Sequence, residues 1–160
     1  MAAGADETVA AVVAASRLVM GLSAGALAEV DDSLSLAQLR TLVALEGCGP
    51  VKLAALAGVL GVNPSTALRA VVRLEEAGLV NRRVSLVSRR EVVLTLTSGG
   101  LALVRRVLDR RRAAIEQLVA GMPAAARSGL VAGLLALLAV AEDRSVPVPG
   151  AGTEFRDAVG

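Results

Sequence analysis

The chain has 160 residues, which is enough for one domain with its own core, and it carries a net charge of +2. It is 54% hydrophobic, yet Phe155 is its only aromatic residue, so Ala, Val and Leu must fill the core. Ala and Leu are among the best helix formers, which favours a helical chain. With no histidine and a single cysteine, Cys48, the sequence excludes an internal disulfide, a zinc site and histidine-based catalysis. We therefore expect no catalytic residues, no metal and no cofactor.

The most apolar stretches are too short to predict a membrane protein, although the mean hydropathy is +0.64. The uncharged runs 18–28 and 128–141 end at charged residues and fall short of the roughly 18–20 residues that a bilayer span needs. Near the N-terminus, Asp6 and Glu7 stand where a signal peptide would carry Lys or Arg. The sequence predicts a soluble, cytoplasmic protein with no membrane partner.

The first thirty residues are a candidate for a long apolar helix. Apolar residues occur on nearly every face, and a helix of this kind is usually buried, often against another subunit. Asp31 and Asp32 interrupt it, and Ser35 can cap the helix that follows. We assign residues 1–34 to an N-terminal dimerisation helix.

Residues 36–77 predict three helices separated by turn residues. The first begins near Leu36 and ends at the Gly- and Pro-containing turn 47–50. The next runs over Val51–Leu60, and the third follows a cap at Asn63. The last two have the pattern of a helix-turn-helix, in which the second helix enters the DNA major groove.

The helix after Asn63 presents an outer face whose chemistry suits DNA. Ser65 and Thr66 lie in its first turn, where hydroxyls and free N–H groups suit phosphates or base edges. Arg69 is the best candidate for a bidentate guanine contact, and Leu68 either contacts a thymine methyl group or packs internally. The DNA-binding residues predicted on this helix are Asn63, Ser65, Thr66, Leu68, Arg69 and Arg73.

Two β-prone runs, Val80–Val84 and Glu91–Leu96, follow the helix-turn-helix. They predict a two-stranded hairpin with arginines at its tip, a wing that lies along or inside the neighbouring minor groove. The DNA-binding residues predicted here are Arg82, Arg83, Arg89 and Arg90. We assign residues 35–98 to a winged helix-turn-helix DNA-binding region.

The C-terminal part predicts two more helices and a tail. Thr97 or Ser98 caps a helix that runs to about Ala120, and a last helix covers 124–142. The last helix is uncharged over 128–141, so we expect it to be buried between subunits. We assign 99–142 to C-terminal dimerisation helices and 143–160 to a flexible tail. The fold class is therefore mainly α with a small β-hairpin wing.

Positive charge is concentrated in the middle of the chain. Residues 63–92 carry six Arg against three Glu, and residues 101–112 carry five Arg against one Asp. Residues 1–35 carry one Arg against five acids. This distribution is the electrostatic pattern of a DNA-facing surface. For residues 101–112, a solvated helix face is an equally good interpretation.

Several short motifs, each different from the others, follow one another between residues 36 and 100. They are Leu36, Leu39, Arg40 and Leu42; Leu56-Ala57 and Leu60-Gly61-Val62; Pro64-Ser65-Thr66; Arg69, Val71 and Arg73-Leu74-Glu75; Gly78-Leu79-Val80; Arg89-Arg90; and Leu94, Leu96-Thr97 and Gly100. In this order and with these gaps, the chain resembles the MarR family of winged-helix transcriptional regulators over roughly residues 6–142. The resemblance implies a homodimer with interlocked terminal helices that binds a pseudo-palindromic site on double-stranded DNA.

The chain departs from that family pattern in its wing and its cysteine. The family wing reads Asp-Pro-x-Asp-Arg-Arg, whereas Ser85 and Ser88 replace both acids here. Peroxide sensors of the family use a cysteine near the start of the chain, so Cys48 is interpreted as a plain turn residue. The resemblance also implies a small-molecule effector. Because few polar side chains are available beyond Arg17 and Arg40, we expect an apolar or phenolic ligand.

The sequence therefore predicts a bacterial, sequence-specific DNA-binding transcriptional regulator, with repression as the expected action. The alternative is a winged-helix protein-interaction module that lacks specific operator binding, and the altered wing motivates it. An enzyme is the weakest interpretation, because the chain has no His, no Tyr and no phosphate-binding glycine loop.

Overall fold

A computed structural model describes residues 4–84 and 92–146 of the chain. The described part is mainly helical with one small antiparallel sheet, which confirms the predicted fold class. Its elements are α1 (Ala5–Val30), α2 (Leu36–Cys48), β1 (Val51–Lys52), α3 (Leu53–Leu60), α4 (Pro64–Glu76), β2 (Val80–Val84), β3 (Val92–Leu96), α5 (Ser98–Ala120) and α6 (Ala124–Asp143).

Side-chain caps set the starts of the helices at the predicted places. Ser35 and Gln38 form a capping box at α2, in which each side chain accepts a hydrogen bond from the other residue's backbone N–H. Asn63 Oδ1 accepts a hydrogen bond from the N–H of Thr66 at 2.8 Å at the start of α4. Gly61 ends α3 with φ +65°, a left-handed conformation that favours glycine. These local signals confirm the helix-turn-helix prediction.

The sheet has one strand more than the predicted hairpin. Its order is β1–β3–β2, and Val51 pairs with Leu94 while Lys52 pairs with Val93. The prediction that the helix ending at Leu60 begins at about Val51 is therefore wrong, because Val51–Lys52 is a strand and α3 begins at Leu53. Backbone pairing with β3 holds these two residues extended, and helical periodicity cannot detect such a long-range partner. The predicted start of β3, Glu91, lies outside the described residues.

The core lies inside the winged lobe formed by α2, α3, α4, the sheet and the first half of α5. Leu42, Leu56, Leu74 and Val104 are among its completely buried members, and they come from four different helices. Aliphatic side chains fill this core, as the composition predicts, and the polar Thr41 of α2 is buried beside them. The lobe thus gives α4 a rigid support.

The terminal helices are exposed within one chain. Residues 4–21 are all exposed, and α1 joins the core only near its end, where Ala26 and Leu27 are buried and Val30 packs against the core. Helix α6 has no buried residue. The exposed apolar side chains include Val9, Leu18, Met20, Leu130, Val131, Leu134 and Val140. The expected burial of these helices therefore does not come from the chain itself, and apolar surface on this scale indicates an interaction site.

By length and composition alone, α1 and α6 could each cross a membrane, and α3 and α4 pass the same test as one broken span bent by 105°. The prediction from the sequence counted only uncharged runs and therefore found no stretch long enough to span a membrane. A spanning helix can include a few charged residues, so α1 and α6 meet the length requirement. Arg17 nevertheless lies near the middle of α1, and placing an arginine there in a bilayer would cost about 2.5–3.5 kcal/mol of insertion free energy. Helix α4 carries Arg69 and Arg73, which lipid would disfavour in the same way.

Candidate nucleic-acid interface

Helix α4 sits on the lobe with one face buried and the other open. Ala67, Val71 and Leu74 lie at about one-turn intervals and are at most 1% exposed. The 105° bend between α3 and α4 is in the range of a helix-turn-helix. The opposite face of α4 is consequently directed away from the core, as a recognition helix requires.

Helix α4 carries half of the predicted DNA-binding residues, and most of these lie on its open face. Ser65, Leu68, Arg69 and Arg73 are exposed there, while Thr66 is half-buried. Arg69 donates a hydrogen bond from Nη2 to Thr66 Oγ1 at 3.3 Å, which holds its guanidinium over the first turn of the helix. The structure thus brings an arginine, a hydroxyl and a helix N-terminus together on one surface.

Asn63, predicted to bind DNA, has a structural role in the described fold. Its Oδ1 accepts the hydrogen bond from Thr66 that caps α4, and this occupies the oxygen that would otherwise be available to a base. The sequence had already indicated a helix cap at Asn63, so this structural role could be predicted from the sequence.

Replacing Asn63 by Ala should lower the free energy of unfolding by about 1 kcal/mol, because it removes the side-chain acceptor for the N–H of Thr66 at the start of α4. Urea unfolding monitored by circular dichroism measures this change. Asn63→Asp is the matched control, since a carboxylate accepts the same hydrogen bond and favours a helix N-terminus. Equal losses for both variants would contradict the capping role.

Arg82, also predicted to bind DNA, is tied to the end of the recognition helix. Its Nη2 lies 3.2 Å from Glu75 Oε2, and the two side chains are 33% and 41% exposed. A pair this exposed adds little stability, about 0–1 kcal/mol, but it orients β2 against α4. Arg83 is exposed on the same strand. The remaining wing arginines, Arg89 and Arg90, lie outside the described residues.

A hydrogen-bonded joint connects the end of α4 to the start of α5. Thr97 Oγ1 donates to the carbonyl of Gly78 at 2.8 Å and accepts from the N–H of Gly100 at 2.9 Å. The N–H of Thr97 donates to the carbonyl of Leu79 at 3.0 Å. A Cβ built on Gly100 would overlap that same carbonyl oxygen. The Leu96-Thr97-x-x-Gly100 motif therefore holds two backbone segments in contact, a role that sequence reasoning missed.

The arginines of α5 are partly engaged with acidic neighbours. Arg112 pairs with Glu116 at 2.9 Å, and Arg110 lies 3.6 Å from Glu29 of α1. An open cleft of about 310 Å³ lies beside this second pair and is lined by Glu29, Val30, Arg106, Asp109 and Arg110. Arg17 and Arg40, considered as effector ligands from the sequence, do not line it. The pairs favour the solvated-face interpretation for residues 101–112.

Comparison with known proteins adds independent evidence. The MarR family model matches residues 34–92. The crystal structure of Rv1404 from Mycobacterium tuberculosis is 41% identical, covers 86% of this chain and 94% of that chain, and has a TM-score of 0.81. No curated protein sequence matches the chain significantly.

Two further solved structures bear on the fold. FabT from Streptococcus pneumoniae, solved in complex with DNA, is 27% identical, covers 69% of this chain and 77% of that chain, and has a TM-score of 0.61. Apo MarR from Escherichia coli is 21% identical with a TM-score of 0.69, covers 86% and 99% of the two chains, and supports the fold alone. The match to the family model and the 41% identity to Rv1404 show that the chain belongs to the MarR family of DNA-binding transcriptional regulators, and the open face of α4 agrees with this.

Proposed function

We propose that the protein is a cytoplasmic, bacterial repressor that binds a pseudo-palindromic operator as a homodimer. The observation that carries the proposal is the open face of α4, where Arg69 and Arg73 project from a helix fixed by its buried face. A rigid helix about 10–12 Å in diameter, with Arg69 and Arg73 on its open face, fits the major groove, which is about 12 Å wide.

The homodimer is supported by the apolar surface of the terminal helices. Among the described residues, nothing buries the first half of α1 or any residue of α6. A second copy provides an apolar surface of the same composition at no cost in unpaired charge, and a two-fold interface is self-complementary. Residues 1–34 and 99–142 would then form the dimerisation region.

Two-fold symmetry fixes how the dimer would meet DNA. Each α4 enters one major groove, and the half-sites lie about 10 bp apart from centre to centre. Arg83, with Arg89 and Arg90 nearby in sequence, would hold phosphates or the adjacent minor groove. Arg82 contributes both charge and, through Glu75, the position of β2. A dimer seated over a promoter would repress by excluding the polymerase.

The most detailed part of the proposal is that an apolar or phenolic ligand controls DNA binding. The composition supports an apolar ligand, because the chain offers mainly aliphatic side chains and only one aromatic residue to bind it. A thermal-shift screen of phenolic and fatty ligands measures such binding by mass action. The absence of stabilisation by any of them would remove this part and leave the DNA-binding part intact.

A protein-interaction module without operator specificity is the alternative function, and the wing without its two acids favours it. A mobility-shift assay on the DNA upstream of the protein's own gene separates the two. A salt-sensitive complex that survives excess random competitor supports the regulator. Binding that random DNA abolishes supports the module. Footprinting of the complex gives the site, the half-site spacing and the stoichiometry.

Replacing Arg69 by Ala should weaken binding to the specific site by about 1–3 kcal/mol and relax the base preference at one position of each half-site. Arg83→Ala is the matched control, because loss of a phosphate contact should weaken specific and random DNA alike and reduce the salt slope. Titrations of both variants at two salt concentrations measure these effects. Equal losses on specific and random DNA for Arg69→Ala would remove Arg69 from base reading.

A further inference from the structure

The open face of α4 contains an apolar strip that its arginines do not explain. Leu68 is 37% exposed, and Val72, one turn further along, is half-buried. Ser65 precedes Leu68 by one turn, so the three residues form a row along the helix. The core contacts of α4 come from Ala67, Val71 and Leu74 instead. Leu68 is therefore available to contact a molecule that binds to the open face of α4.

The chemistry of the major groove leaves few partners for such a strip. Leucine and valine cannot satisfy the hydrogen-bond donors and acceptors of base edges, and covering those groups would leave them unpaired. The thymine C5-methyl group is the apolar feature of the major groove. An apolar row on a recognition helix therefore selects thymine by contact and disfavours bases whose polar edges it would cover.

The spacing of the strip matches the spacing of base pairs. Leu68 and Val72 are separated by about 6 Å along the helix axis, from a rise of 1.5 Å per residue. Two base-pair steps cover about 6.8 Å of the duplex. Arg69 lies beside Leu68 on the same turn, and the hydrogen bond to Thr66 holds it there. When α4 lies along the groove, Leu68 and Val72 can therefore reach base pairs about two steps apart, and Arg69 can reach a base pair beside them.

We propose that Leu68 and Val72 read thymine methyl groups in each half-site, beside a guanine contacted by Arg69. This inference rests on the proposed function and deepens it, because it names the class of operator: half-sites in which thymine adjoins guanine. Leu68 is then a specificity-determining residue rather than a packing residue.

Thymine-to-uracil replacement tests the proposal, because it removes one methyl group and leaves base pairing unchanged. The best-bound duplex is first selected from a random library with the full-length protein. Each thymine is then replaced singly by deoxyuridine. Loss of a buried methyl contact should weaken binding of the unaltered protein about fourfold at one or two positions per half-site. Leu68→Ala should bind the thymine and uracil duplexes equally at the position that Leu68 reads.

Matched variants guard against a folding effect. Leu68→Met keeps an apolar side chain of similar volume and should retain the discrimination. Arg69→Ala should lose affinity yet still distinguish thymine from uracil. A selected duplex whose thymines can all be replaced without loss, or an equal loss in Leu68→Ala and the unaltered protein, would overturn the methyl reading alone. Failure to select any duplex would overturn the proposed function and the methyl reading together.

Discussion

Replacing Gly100 by Ala should lower the free energy of unfolding by about 1–3 kcal/mol or more. Gly100 is buried, and a Cβ built there would overlap the carbonyl oxygen of Leu79 and lie 3.0 Å from its carbonyl carbon. That carbonyl also accepts the hydrogen bond from Thr97. The obstacle is backbone on both sides, so no side chain can rotate away and the joint itself must open.

Gly99→Ala is the matched control for this prediction. Gly99 is the neighbouring helical position, and the nearest atom to its built Cβ is Thr97 Oγ1 at 3.6 Å, an ordinary contact. Alanine should stabilise this position by up to about 0.5–1 kcal/mol, because it restricts the unfolded chain more than glycine does. Urea unfolding of both variants at one protein concentration measures the difference. Equal midpoints would contradict the close approach of Gly100 to Leu79.

Replacing Leu134 by Asp should convert the protein from dimer to monomer. Leu134 lies in the middle of α6 and is 47% exposed in the single chain, so a partner must cover it if α6 forms the interface. An unpaired carboxylate buried there costs several kcal/mol, which raises the dimer dissociation constant about 100-fold or more. Sedimentation equilibrium measures this shift, and specific DNA binding should fall with it.

The control for this second prediction keeps the apolar surface. Leu134→Met conserves volume and should remain dimeric, with a change below about 1.5 kcal/mol. Circular dichroism establishes that the Asp variant keeps its helices. A Leu134→Asp protein that sediments as a dimer with unchanged affinity would exclude this part of α6 from the interface.

The sequence predicted those parts of the fold that depend on local interactions. Ser35, Asn63 and Thr97 each cap a helix through residues three positions away, so their signals lie within one window of sequence. Strand β1 was missed because Val51–Lys52 gains its hydrogen bonds from β3, far along the chain. A short segment takes its conformation from such a partner rather than from its own propensity.

The same distinction separates the site residues. The outer face of α4 followed from helical periodicity, and the exposed positions of Ser65, Arg69 and Arg73 agree with it, whereas the exposure of Leu68 did not follow from the sequence. The pair between Arg82 and Glu75 joins a strand to a helix, and no spacing rule connects the two residues. The sequence marked Arg82 as a cation but could not show that a carboxylate already lies beside it.

The joint at Thr97 couples α4 and α5 rigidly. Backbone contacts on both sides of Gly100 allow little independent rotation, so a tilt of one helix must carry the other. Helix α5 has 23 residues and is therefore about 35 Å long, so a tilt of only about 3° moves its far end by about 2 Å. Carried through the joint, the same tilt of about 3° would move the far end of α4, which is about 20 Å long, by about 1 Å, so a change in the angle of α5 is transmitted to the recognition helix without magnification.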